Sequence, residues 1–160
     1  MDRWLKISCA VAVAALLSAN SHAADAYTAE QRAVLAPVNA LFDAMVKHDV
    51  HASRKLILTG ASFVVVKSDG NVLMEHDADY LDALAKHKEQ FRERIWDAQV
   101  TVGDNIAQVW APYDFHLDGK LTHCGIDVFS LVRTKDGWRI AGISYSTQKT
   151  GCKSSPLDKF

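Results

Sequence analysis

The feature that most constrains this chain is a change of residue pattern near Phe91. After that point, apolar and polar residues alternate in long runs, and dipeptides typical of tight turns separate the runs. This pattern predicts an antiparallel meander of long strands. Before Phe91, apolar residues recur at helical spacing, so helices precede the main sheet and the predicted class is α+β. The turn dipeptides are Gly103-Asp104, Asp118-Gly119 and Asp136-Gly137.

The first predicted helix begins at a capping box. Thr28 and Gln31 have the spacing of that motif, and the apolar periodicity after them continues to about Lys47. Pro37 falls inside the pattern, so the helix is either kinked there or starts afresh at that point.

Two further helices and a hairpin are predicted before Phe91. The second helix covers residues 50–58, and a short third helix is capped by Asp79. Between these helices, residues 63–67 and 72–75 predict two strands joined by a turn at 68–71.

Residues 1–23 predict a cleaved signal peptide. Arg3 and Lys6 precede an apolar run at 7–17, and Ser21 and Ala23 place the cleavage site after Ala23, with a second possible site at Ala24-Asp25-Ala26. The run is too short to cross a bilayer as a helix, which takes roughly 20 residues. We therefore expect a periplasmic or secreted protein whose mature part has no membrane span.

The mature chain, residues 24–160, predicts one domain with its core at about 28–152. No linker or internal repeat divides it. Removal of residues 1–23 takes away two of the 18 basic and one of the 19 acidic residues, which leaves a net charge of −2. The remaining positive charges are dispersed among negative ones, so we exclude a nucleic-acid partner.

Two cysteines remain after removal of the signal peptide. Cys124 and Cys152 would lie in a compartment where thiols oxidise, which favours a disulfide between them. The alternative is that Cys124 is a small buried apolar residue and Cys152 is a loose thiol near the end of the chain.

The hairpin turns allow the faces of the sheet to be predicted. A two-residue turn at Asp118-Gly119 pairs Leu117 with Lys120 and fixes the register of the strands that follow. One face then carries Tyr113, Phe115, Ser130, Ile143 and Tyr145. The opposite face carries Trp110, Phe129, Leu131 and Trp138, together with Asp114, His123 and Asp127.

Both predicted faces hold large apolar residues, whereas an antiparallel sheet commonly leaves one face to solvent. We therefore predict that the second face is buried in a homodimer. On that face Asp114 would lie opposite His123. This pair suits general acid–base chemistry, but a cross-strand ion pair at a dimer surface is the favoured interpretation.

Five segments of the chain carry a family resemblance. They are Val109-Trp110-Ala111-Pro112-Tyr113, Asp118-Gly119-Lys120, His123-Cys124-Gly125 with Asp127 two positions later, Gly137-Trp138-Arg139-Ile140 and Gly151-Cys152. These segments are similar to a secreted branch of the nuclear transport factor 2 (NTF2)-like superfamily. The similarity covers about residues 28–152 and implies a strongly curved sheet that forms a cone with the three helices around a central cavity. The resemblance implies that the first face lines this cavity, together with Phe42.

The superfamily includes ketosteroid isomerases, whose reaction needs a carboxylate base and buried acids. In this chain the corresponding positions align with Leu41, Val65 and Ser130, and neither leucine nor valine exchanges a proton. We therefore expect a cavity without proton-transfer groups at those positions and assign no catalytic residue.

Metal and cofactor sites are not predicted. His48 and His51 lie at the junction of the first two helices, but no third and fourth ligand accompany them, as structural zinc would require. We expect neither a metal nor a cofactor.

Three functions are compatible with this sequence. The first is an exported binding protein that takes a small hydrophobic or aromatic molecule into the cone without catalysis. The second is a hydrolase, dehydratase or isomerase that uses Tyr113 or Tyr145 with a polar group such as Asp43. The third is a dimerisation module with a filled core. A carboxylate or histidine on the wall of an open pocket would favour the enzyme.

Overall fold

The computed structural model describes residues 27–157. The predicted signal peptide and its cleavage site lie outside the described residues. Within residues 27–157, no helix is long and apolar enough to cross a membrane.

All three predicted helices are present, and the first begins at its predicted cap. Helix α1 (Ala29–Val46) begins at the capping box of Thr28 and continues through Pro37, which is buried inside it. Helix α2 (Val50–Leu56) is short. Helix α3 (Asp77–Lys86) begins two residues before Asp79, whose carboxylate accepts a hydrogen bond from the backbone N–H of His76.

Seven strands form one sheet in the order β2-β1-β7-β6-β5-β3, and β4 also pairs with β5. The β1–β7 pair is parallel and every other pair is antiparallel. The fold is therefore the predicted α+β cone, with helices against the inner face of a curved sheet. The strands are β1 (Ile57–Lys67), β2 (Val72–His76), β3 (Phe91–Ile95), β4 (Gln99–Gly103), β5 (Ile106–Leu117), β6 (Lys120–Thr134) and β7 (Gly137–Thr147).

A bulge near the start of β6 changes which residues face inward. The turn pairs Leu117 with Lys120, as predicted, but His116 pairs with Leu121 and Phe115 with His123. Thr122 is the extra residue, and its hydroxyl donates to the carbonyl of Phe115 at 3.1 Å. Since side chains alternate along a strand, one extra residue moves all later residues of β6 to the other face.

This shift corrects the prediction for β6. Phe129 and Leu131 are 1 % and 0 % exposed and belong to the core, whereas Ser130 is exposed on the outer face. A second irregularity near Ala141 interrupts the pairing of β7. It allows Trp138 and Ile143 to be buried on the same side, although an unbroken strand would separate them. Of the four large apolar residues of the predicted dimer face, only Trp110 remains on the outside, at 37 % exposure.

The chain after β7 is held against β6. The predicted disulfide between Cys124 and Cys152 is present, with their Cα atoms 5.8 Å apart. Gln148 adds two backbone hydrogen bonds to Cys124, at 2.9 and 3.0 Å. The segment after β7 is therefore fixed beside Cys124 on β6. The neighbouring residue on that strand, His123, lines the cavity.

Candidate functional site

A cavity of about 210 Å³ lies between the inner face of the sheet, helices α1 and α3, and the β1–β2 hairpin. Five of the six residues predicted to line a pocket do so, and Ser130 does not, because the bulge turns it outward. The lining residues come from helices α1 and α3 and from all strands except β4. They are Leu41, Phe42, Met45, Phe63, Glu75, Tyr80, Ala83, Phe91, Glu93, Tyr113, Phe115, His123, Asp127, Phe129, Ile143 and Tyr145.

Aromatic rings make up most of the wall and contact one another in pairs. Phe42 meets Phe129 edge to face with ring centroids 5.9 Å apart, and Phe91 lies 5.7 Å from Phe115. Such pairs fix the orientation of each ring. The wall is thus suited to a flat apolar molecule.

Three carboxyl side chains interrupt this apolar wall, and two of them, Glu93 and Asp127, lie next to each other. Glu93 lies on β3 and Asp127 on β6, and both reach the cavity from either side of β5. Asp127 is 1 % exposed, and its Oδ2 atom has no hydrogen-bond partner within the described residues. A buried acceptor without a partner is uncommon, and it points to a donor that is supplied from elsewhere.

The environment raises the pKa of both carboxyl groups. Burial is the largest cause for Glu93, whose pKa rises from 4.5 to about 7. Burial also raises the pKa of Asp127 well above 3.8, and the charge of Glu93 adds to this effect. A hydrogen bond between the two groups favours a neutral Asp127 beside a charged Glu93. The pair therefore retains a proton near neutral pH.

Two tyrosines, Tyr113 and Tyr145, lie near this pair of carboxyl groups. Tyr113 is 1 % exposed, and its hydroxyl donates to the backbone carbonyl of Ser146 at 2.9 Å. Tyr145 packs edge to face on Tyr113, with ring centroids 6.3 Å apart. Burial and the nearby carboxylates raise the pKa of both phenols, so both stay protonated at neutral pH.

His123 also lies inside the cavity, where the regular register did not place it. Its ring stacks on Phe115 with centroids 4.9 Å apart, and its Nδ1 lies 2.9 Å from the hydroxyl of Thr122. Burial lowers the pKa of His123, and Lys149 lowers it further, so the imidazole is neutral at pH 7.

The predicted pair of Asp114 and His123 is not formed. Asp114 pairs in register with Cys124 on β6, and its carboxylate binds Arg94 on the outer face. Asp127 likewise moves from the predicted outer face to the cavity. The catalytic partner suggested among the helices, Asp43, is exposed and is not part of the cavity wall.

Glu93 was missed by the sequence analysis, although a signal for it exists. Phe91, Glu93 and Ile95 alternate with two arginines along β3. The arginines take the outer positions, so the inner face of this strand must hold Glu93 between two apolar residues. A carboxylate at an inward position of a strand indicates either a paired structural group or a functional one.

The junction of α1 and α2 is held by His48. Its two ring nitrogens lie 3.0 Å from the backbone carbonyl oxygens of Leu84 and Glu89. His48 therefore links this junction to the end of α3 and to the segment after it. Within residues 27–157, no three His, Cys, Asp or Glu side chains are grouped to hold a metal ion.

Comparison with known families identifies the fold. A family model described as "Putative lumazine-binding" matches residues 29–146. The chain belongs to this family. The match spans all three helices and all but the last residue of β7, so it includes every residue of the cavity.

Solved structures described as NTF2-like share the fold of this chain. An NTF2-like protein from Shewanella baltica is 18 % identical with a TM-score of 0.59, over 78 % of this chain and 98 % of its own. An NTF2-like protein with a cystatin-like fold from Novosphingobium aromaticivorans is 15 % identical with a TM-score of 0.61, over 76 % and 84 %.

The description of a third similar structure suggests an activity for that protein. It is a "putative dehydratase from the NTF2-like family" from Streptomyces avermitilis, 20 % identical with a TM-score of 0.61, over 74 % of this chain and 96 % of its own. At such identities these likenesses show the shared fold. A search of curated proteins finds none that matches this chain.

Proposed function

We propose that this protein binds a small, flat, largely apolar molecule inside the cone. The observation that carries this proposal is a cavity of about 210 Å³ with an aromatic wall and two adjacent carboxyl groups, one of which has an unpartnered oxygen. Ligand sites of this kind combine apolar walls with a few polar groups that orient the ligand. Membership of a family described as lumazine-binding supports the same conclusion.

The proposal is tested by closing the cavity. Ala83 lines the mouth of the cavity on α3, so Ala83→Trp would fill part of it. Ala85 is an exposed residue on the same helix that does not line it, so Ala85→Trp is the matched control. Native mass spectrometry of protein from its own source should show a retained small molecule in the wild type and in Ala85→Trp, and less of it in Ala83→Trp. Equal retention in both variants would contradict the proposal.

An enzyme that acts on such a molecule is the second candidate, and Glu93 and Asp127 favour it. The alignment with ketosteroid isomerases addressed only the positions of Leu41, Val65 and Ser130, and these carboxyl groups reach the cavity from other positions. A carboxylate with a pKa near 7 is matched to proton transfer at neutral pH. Ketosteroid isomerases, for example, use a carboxylate base in this way to remove a proton from carbon.

Exchange of the α-protons of 2-tetralone for deuterium in D₂O tests this second candidate. A carboxylate would accept a proton from the ketone and return a deuteron to the same carbon. We expect exchange above the buffer rate in the wild type and in the surface variant Asp82→Asn. Glu93→Gln should lose that excess rate, and equal rates in all three would argue for binding alone.

Export and dimerisation are proposals of their own. Residues 1–23 and the Cys124–Cys152 disulfide both support an oxidising compartment outside the cytoplasm. Fusion of residues 1–26 to a reporter enzyme that is active only after export tests this. Failure of export would refute the proposal.

A homodimer would bury the outer face of the sheet, whose residues on β6 differ from the predicted ones. This face carries Trp110 and the partly exposed residues Ile126, Val128 and Val132. Trp110→Asp should lower the sedimentation coefficient to that of a monomer, whereas Met74→Asp on β2, 66 % exposed, should leave it unchanged. A monomeric wild type at tens of micromolar would refute the dimer.

A further inference from the structure

We propose that Glu93 and Asp127 select the ligand of the cavity, which is a neutral or cationic ring compound that donates N–H groups to the two carboxyls. By the same proposal, anionic ring compounds are excluded. This inference rests on the proposed binding function and adds the chemical class of the ligand.

Asp127 has a buried carboxyl oxygen without a hydrogen-bond partner among the described residues. The residue is 1 % exposed and lines the cavity, and no described group donates to its Oδ2. Neighbouring Tyr113 does not supply the donor, because its hydroxyl is committed to the carbonyl of Ser146 at 2.9 Å. A buried acceptor left without a donor is destabilising, so a donor on the ligand would satisfy a need that the protein itself leaves open.

The cavity wall carries acidic side chains and lacks Lys and Arg. Three carboxyl side chains line the cavity, namely Glu75, Glu93 and Asp127, and the residues of the wall include neither Lys nor Arg. His123 is the remaining basic group there, and burial keeps its imidazole neutral at pH 7. The local field is therefore negative, which attracts cations and N–H donors and repels carboxylates and phosphates.

The volume of the cavity limits the size of its ligand. A cavity of about 210 Å³ is smaller than the roughly 300–1,000 Å³ typical of sites for drug-sized molecules, so it suits a compound of one or two rings. The aromatic side chains of Phe42, Phe115 and Phe129 provide flat contact surfaces for such a ring. The polar edge of the ring can then point towards Glu93 and Asp127.

Four compounds of similar shape separate these requirements. Benzamidine is cationic with N–H donors, benzamide is neutral with N–H donors, benzoate is anionic without donors, and toluene lacks a polar group. Titration followed by NMR at pH 7 should show benzamidine and benzamide binding about tenfold or more tightly than benzoate. A hydrogen bond to a buried carboxylate accounts for a preference of that order.

Variants of the pair test whether these residues cause the preference. Asp127→Asn and Glu93→Gln keep the shape of each side chain and remove its charge. Each should reduce the preference of benzamidine over benzoate by about tenfold, while toluene binds as before. Asp82→Asn, on the surface of α3, is the matched control and should keep the full preference. If one variant fails to fold, the other still decides the question.

The possible outcomes separate this inference from the proposed function. If toluene binds but benzoate binds as tightly as benzamide and benzamidine, the cavity binds rings and the ligand class proposed here is wrong. The same holds if the preference survives in both variants. If none of the four compounds binds, the proposed function fails together with this inference.

Discussion

Arg94 on β3 and Asp114 on β5 are direct cross-strand partners and form a two-bonded ion pair on the outer face of the sheet. Nε of Arg94 lies 2.8 Å from Oδ1 of Asp114, and its Nη2 lies 2.5 Å from Oδ2. Nε2 of His116 is 3.6 Å from the same Oδ1. The side chains of Arg94 and Asp114 are only 15 % and 8 % exposed, so the pair is largely shielded from water. It fixes β3 on β5, and thereby fixes the strand that carries Glu93.

We expect Asp114→Ala to destabilise the fold by about 3 kcal/mol, because loss of one partner leaves the Arg94 charge largely buried without its carboxylate. The control is Asp82→Ala. Asp82 pairs with Lys86 across 3.6 Å, but both side chains are about three-quarters exposed, and such pairs contribute little. Urea unfolding of both variants provides the measurement. Equal losses of stability would show that the outer ion pair does not hold β3.

Reduction of the Cys124–Cys152 disulfide should lower the free energy of unfolding by about 3–4 kcal/mol. The bond closes a loop between residues 28 positions apart, and such a loop restricts the unfolded chain by that order. Cys152→Ser should reproduce the loss and make the variant insensitive to reductant. If denatured, unreduced protein reacts with two equivalents of a thiol reagent, the disulfide is absent in solution.

Gly125 permits β7 to pass close to β6. A Cβ atom added at this position would lie 1.9 Å from the backbone oxygen of Ser146, which is the oxygen that accepts the hydrogen bond of Tyr113. Gly142 is less tightly packed, since its added Cβ would lie 3.1 Å from the oxygen of Ser62.

We therefore expect Gly125→Ala to destabilise by about 3 kcal/mol and Gly142→Ala by about 1 kcal/mol, as overpacking in a sheet usually does. Thermal unfolding of the two variants gives the comparison. A Gly125→Ala protein with wild-type stability would mean that β6 and β7 are further apart at Ser146 than described.

The helices, the hairpin turns and the inner residues of β5 were predictable because each has a local cause. The capping box of Thr28 begins α1, and strict alternation along β5 separates Tyr113 and Phe115 from Asp114. Pro37 left two possibilities open. The helix continues through Pro37, which is buried among its apolar residues.

The inner face of β6 was not predictable from alternation. Both of its faces carry apolar residues, such as Val128 and Phe129, so hydrophobicity alone permits either register. The bulge at Thr122 settles the matter by turning the larger residues, Phe129 and Leu131, into the core. The same single-residue shift brings Asp127 and His123 into the cavity. A local irregularity therefore decided whether Asp127 and His123 join Glu93 at this site.

The stability of this protein should depend on pH through Glu93 and Asp127. Both pKa values are higher in the fold than in the unfolded chain, so the folded state binds more protons. The contribution of Glu93 is then complete below its ordinary pKa of 4.5 and is lost as the pH rises through about 7. One proton held by the folded state alone corresponds to a slope of about 1.4 kcal/mol per pH unit.

His116 and His123 act in the opposite direction. Burial is the main cause that lowers the pKa of each below 6.5, so their contribution is present at high pH and is lost as the pH falls. Their effect partly cancels that of the carboxyl pair in the wild type below about pH 6.5. Variants of Glu93 and Asp127 keep both histidines. The difference in unfolding free energy between such a variant and the wild type therefore cancels the contribution of the histidines.

We expect the free energy of unfolding of Glu93→Gln and Asp127→Asn, relative to wild type, to rise between about pH 5 and 7, because each variant no longer carries the cost of a buried ionised group. For Glu93→Gln the difference should level off above about pH 7. Asp82→Asn should follow the wild type throughout, since its side chain is 75 % exposed. Urea unfolding at half-unit pH intervals measures these differences. A difference that stays constant with pH, or that falls, would mean that the two carboxyl groups ionise in the fold as they do in the unfolded chain, and that the cavity is open to water around them.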